Sequence, residues 1–142
     1  MNEIAAALEA TGLAQHLKTS RWTYPLVNAG HLVGIALLVG AIVPMDVAIL
    51  RGRGTAAARM LRPWAVAGFA LAVVCGAMLF VTQATDYVTS DLYRLKMGLL
   101  VLLALNAAVH LRATAAGLRR AAVVSLAGWP TVLLLGRLVG YS

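Results

Sequence analysis

The chain has 142 residues, 61% of them hydrophobic and only 12% charged, with a net charge of +7. That length suits one domain, 1–142, but a water-soluble domain would need far more polar surface to cover its core. The basic residues lie in blocks between apolar runs with no interleaved aromatics, so membrane topology accounts for the charge and nucleic acid is excluded as its partner.

Residues 1–19 come first. Met1-Asn2-Glu3 lacks the basic start of a secretory signal, so the first apolar run is expected to act as its own insertion signal. Ile4, Ala7 and Leu8 form one apolar face, Gly12 interrupts it, and Leu13 and Leu17 resume it. This predicts a short interfacial helix, or two, lying on the membrane or capping the bundle.

Four apolar runs follow, at about 22–50, 64–82, 93–111 and 121–139. A hydrocarbon core of ~30 Å needs ~20 helical residues, so each run is long enough to span it. Short connections between them predict an all-α integral membrane four-helix bundle. The second run carries Gly68, Ala72 and Gly76 at four-residue spacing, a strip that lets another helix approach closely. Packing within the chain is the expected use of that strip, with a homo-oligomer or a larger membrane complex as the alternative. Cys75, the single cysteine, forms no internal disulfide and reads as a packing residue. Pro130 is expected to kink the fourth run or free a carbonyl in it.

The connections set orientation. Arg51, Arg53, Arg59 and Arg62 separate the first two runs, and Arg112, Arg119 and Arg120 the last two, whereas Asp86 and Asp91 lie between the second and third. The positive-inside rule then places both termini outside, in the periplasm of a bacterial inner membrane. Trp22, Tyr24, Tyr87, Tyr93 and Tyr141 fall at the expected outer boundary and Trp64 at the inner one, as interfacial anchors do.

Ionisable groups at membrane depth are costly and point to function. On the first run Asn28, His31 and Asp46 share one side of a helical wheel; on the third, Lys96 and His110 share a face with Asn106 at its edge. At 1.5 Å per residue His31 lies ~13 Å from the outer boundary, Lys96 ~5 Å, Asn106 ~20 Å and His110 ~25 Å. Lys96 can snorkel outward and His110 can reach the inner boundary, where Asp46 is an available partner. His31 has no such escape: it must be neutral and hydrogen-bonded, or a ligand. His31 and His110 differ by ~12 Å in depth, a poor match for a bis-His haem. Met78 and Met97 are core residues by default, although with His31 they form a soft set suited to Cu(I). There is no nucleophile–base pair, phosphate loop or carboxylate dyad in the runs, so nothing in the residues argues for catalysis.

The run from Tyr24 through Pro25, Asn28, Gly30-His31-Leu32-Val33-Gly34 and Gly40 to Asp46, then Leu61-Arg62-Pro63-Trp64 with Gly68, Gly76 and Phe80, then Tyr93-Arg94-Leu95-Lys96-Met97 with Asn106, resembles an uncharacterised bacterial four-helix membrane family over nearly the whole chain. His31, Tyr93, Lys96 and Asn106 are similar to positions in the membrane domain of CopD-type copper resistance proteins. His31-Leu32-Val33-Gly34-Ile35 and Lys96 are similar to the first-span motif and third-span lysine of HemJ-type protoporphyrinogen oxidases, which bind haem. The chain differs from that group in its N-terminal segment and in having Ala36-Leu37-Leu38 after the histidine. The resemblance implies a haem b site with His31 as axial ligand and Lys96 at a propionate. Asn28 or Asn106 would orient the imidazole or line the pocket, and Gly34 and Gly40 would admit the ring plane. Copper delivery to a periplasmic redox or copper partner is the second expectation, and a structural subunit of a larger complex the third.

Overall fold

The computed structural model describes residues 2–109 and 114–141. Among them every regular element is helical: α1 (Asn2–Glu9), α2 (Gly12–Thr19), α3 (Thr23–Leu50), α4 (Gly54–Phe80), α5 (Ala84–Thr89), α6 (Asp91–Val109) and α7 (Ala115–Val139). The expectation of an all-α bundle holds. Three of these helices, α3, α4 and α7, are long and apolar enough to cross a membrane. The third predicted span is present as α6, whose described residues do not reach that measure and which carries Asp91, Arg94 and Lys96 in its first six residues. Outward-facing Leu32, Val66, Leu102 and Leu134 fit contact with a lipid bilayer.

α3 and α4 are joined by a tight turn whose pivot is Gly52, at φ 75°, a backbone region that side chains disfavour. α4 therefore starts ten residues before the predicted run and carries Pro63 inside it. Proline removes one intrahelical bond and does not end a helix whose other turns continue. Pro44 and Pro130 are likewise accommodated inside α3 and α7.

α3 and α4 form an antiparallel pair in close backbone contact. A Cβ on Gly34 would lie 2.5 Å from the Ala72 amide nitrogen, and one on Gly68 would lie 2.5 Å from that of Leu38. The Gly68/Ala72/Gly76 strip is thus taken up within the chain, which leaves it closed to a larger complex. The other pair is α6 with α7, where Leu103 seats against Gly128, and α7 also packs on α3. Leu38, Ile42, Ala65, Leu103, Trp129 and Val132 form the shared core. At ~25 cal/mol per Å2 for burial from water, such a core would dominate a soluble fold. In lipid, close packing of small residues has to do more of that work.

The N-terminal segment is two helices, separated at Thr11, whose side chain caps α2 by accepting from the Ala14 amide. It covers the end of the bundle where α4 finishes and α6 begins. α1 packs on α5 and α2 on the start of α3, with Ala5, Ala14 and Leu17 buried beneath them. The Glu9 carboxylate accepts from the Thr85 amide at 2.8 Å and from Lys18 Nζ at 2.9 Å. These bonds hold its carboxyl well below the usual range, at about 2. Phe80, Tyr87 and Tyr93 stack beside this cap with ring centroids 5.0–6.0 Å apart. α5 had no counterpart in the sequence reading, since six residues are too few for a helical period to show.

Candidate functional site: a histidine set between two helices

His31 lies two turns into α3 from the capped end and is partly buried. Its Nδ1 is 2.8 Å from the carbonyl oxygen of Ala72 on α4. A carbonyl only accepts, so Nδ1 carries the proton and donates; in the neutral ring Nε2 is then left with its lone pair. The sequence allows this approach because Gly76 has no side chain: a Cβ there would lie 3.0 Å from His31 Cε1, while Nε2 points farther off, at 4.0 Å. Gly34, one turn along α3, holds the two backbones at the distance the bond requires.

The ring is therefore oriented by a backbone carbonyl, and the expectation that Asn28 or Asn106 would orient it is corrected. Asn28 is exposed. Asn106 lies in the opposite half of α6 and donates from Nδ2 to the Ala121 carbonyl on α7 at 3.1 Å. The expected role of Gly34 is corrected too, because its open side is filled by Ala72 and Gly68. Gly40 has nothing within 4 Å of a built Cβ and faces away from the helix pair.

Lys96 sits near the start of α6, partly buried, with its side chain laid along Gly136 of α7; a Cβ there would lie 3.3 Å from Nζ. His31 and Lys96 both lie in the capped half of the bundle, on α3 and α6. Among the described residues Lys96 forms no ion pair; the two present are Glu9–Lys18 and Asp91–Arg94. Met97, next to Lys96, is 39% exposed, and Met78 is partly buried on α4, half a turn beyond Gly76. His110 lies outside the described residues.

A second polar centre occupies the opposite half. Asp46 on α3 is only 4% exposed. Asp46 shares a cavity wall with Ser125 of α7, and its Oδ2 has no hydrogen-bond partner. The sequence places Asp46 on the His31 side of α3 and offers it to His110, which lies outside the described residues.

No family model, curated protein or solved structure matches this chain. The site must be judged on its own residues.

Proposed function

We propose that the chain is a four-span bundle of a bacterial cytoplasmic membrane and binds one b-type haem for electron transfer, with His31 Nε2 as an axial ligand. The observation that carries this reading is the His31–Ala72 bond. Ligating histidines donate their other ring nitrogen to a carbonyl or carboxylate, which fixes the tautomer and ring plane.

The support for this group is the chemistry of the donors. His31 supplies one neutral nitrogen. Lys96, held along Gly136 on the capped side, supplies a cation for a propionate. The bound iron would supply one-electron redox chemistry, and the chain would set its potential through the axial ligand, burial and the Lys96 charge. In the capped half the N-terminal helices exclude water from the end of the bundle.

The fourth span in this reading is α6. Its three charges sit beside the cap, where headgroups lie, and the apolar stretch 97–109 covers about 20 Å before the arginine-bearing connection. Arginines crowd the far end of the bundle at 51, 53, 59, 62, 119 and 120. The far end therefore faces the cytoplasm and both termini face the periplasm.

The test is haem stoichiometry. Protein purified in mild detergent from haem-replete cells should carry close to one haem per chain by pyridine haemochrome assay. Absence of haem together with bound copper would replace this reading by the copper one, with His31, Met78 and Met97 as ligands. Absence of both would end it.

A further inference from the structure

Between α3, α4, α6 and α7, in the half of the bundle away from the cap, lies a cavity of about 270 Å3. Its wall is apolar: Leu38, Ile42, Met45, Phe69 and Trp129 provide most of it. Phe69 and Trp129 meet edge to face, with centroids 6.4 Å apart. Asp46, Ser125 and Asn106 interrupt that wall, and Arg62 of α4 also lines it.

Asp46 sets the chemistry. It is 4% exposed and lines the cavity, yet Oδ2 has no partner. An unsatisfied buried carboxyl oxygen is costly, and natural structures rarely leave one without a reason. Ionised, Oδ2 needs a donor; protonated, it needs an acceptor. A hydroxyl is the smallest neutral group that serves as either. An ammonium head could only donate and would serve the ionised carboxylate alone, whereas a hydroxyl serves both protonation states. The volume holds roughly nine groups of water or methylene size, at about 30 Å3 each.

We propose that this cavity binds a neutral lipophilic molecule bearing one hydroxyl group, whose oxygen pairs with Asp46 Oδ2 and whose apolar body lies against Phe69 and Trp129. The site stands about 22 Å along α3 from His31 at 1.5 Å per residue, so it is separate from the haem reading and does not depend on it.

Trp129 is a reporter in the cavity wall. In a Trp22→Phe, Trp64→Phe background it is the only indole. The probes are ω-bromo alkyl chains of about nine carbons, which quench tryptophan on contact, bearing a hydroxyl, an ammonium or no head group. The bromo-alkanol should quench saturably, and Asp46→Leu should weaken its apparent affinity about tenfold, the worth of a hydrogen bond to a carboxylate. Ala104→Leu, which fills the cavity without touching Asp46, should abolish saturation. Circular dichroism verifies that each variant remains helical, and Ser125→Ala, expected to weaken binding less than Asp46→Leu, serves if the leucine variant does not fold. Equal quenching by the headless chain would mean that a lipid tail fills the cavity and would overturn the proposal. Stronger quenching by the ammonium probe would overturn the neutral class. Unchanged affinity in Asp46→Leu would overturn the role of the carboxyl.

Discussion

Two glycines on one helix give the most discriminating stability test. Gly34 and Gly40 both lie in α3, six residues apart, and both look alike in sequence. A Cβ on Gly34 would sit 2.5 Å from Ala72 N and 2.9 Å from Gly68 O, whereas one on Gly40 meets nothing within 4 Å. To reach ordinary van der Waals distance, 3.4 Å or more, Gly34→Ala must move α3 and α4 apart by about 0.9 Å. The neighbouring atoms are backbone, so no rotamer change can absorb the shift. Overpacking of this kind costs about 1–3 kcal/mol, and a strained His31–Ala72 bond adds about 1 kcal/mol. Alanine recovers roughly 0.5–1 kcal/mol of helix propensity. A net loss of about 2 kcal/mol corresponds to a fall in Tm of roughly 4–8 °C for a chain of this size. Gly40→Ala keeps only the propensity gain and should match or slightly exceed the parent. Thermal unfolding of the three proteins in one detergent, followed by circular dichroism, reads the difference. Equal Tm values for Gly34→Ala and Gly40→Ala would refute the close approach on which the His31 site depends.

Other consequences can be checked separately. Asn106→Ala should destabilise the bundle by about 0.6–1 kcal/mol, the usual worth of a hydrogen bond between helices in a membrane, measured by the same unfolding. Asp46→Leu should leave stability unchanged or raise it, because it removes a buried polar group with an unsatisfied oxygen; a marked fall in Tm would argue that Oδ2 is satisfied in the membrane. The Glu9 latch should respond to acid alone. Its carboxyl is held at about 2 in the folded chain against 4.5 for the free group, so its contribution is complete above pH 4.5 and is lost as pH falls towards 2. Proteolysis or hydrogen exchange of residues 2–19 should stay constant from pH 8 to about 5 and rise only below that, and a rise near neutrality would contradict the geometry. Lys96→Gln should lower haem retention while leaving Tm nearly unaltered.

Much of this arrangement is legible in the chain. Four apolar runs mark the long helices, and the Gly68/Ala72/Gly76 spacing announces a close helix neighbour. The depth of His31 follows from counting residues. What the sequence conceals is that its partner is the Ala72 carbonyl, since every residue has a carbonyl and no side chain marks the one that is used. The second apolar run begins at about residue 64, yet the turn sits at Gly52, where the positive φ is needed. α6 reads as a full span when only its apolar centre is weighed, whereas its described residues, with three charges in the first six, do not reach the measure that α3, α4 and α7 meet. Asn106 attracts attention as a polar residue in an apolar run, but its position relative to His31 depends on how α6 and α3 are rotated, which a helical wheel for one helix does not fix.

The central claim is that His31 offers a free, oriented Nε2 to iron. The reduced-minus-oxidised visible spectrum of the purified protein tests it most directly, with His31→Ala measured beside the parent. The account predicts a Soret band and a sharp reduced α-band in the parent, both lost in His31→Ala while the helical circular dichroism is retained. A haem spectrum that survives His31→Ala unchanged, or parent protein from haem-replete cells without Soret absorbance, would contradict it.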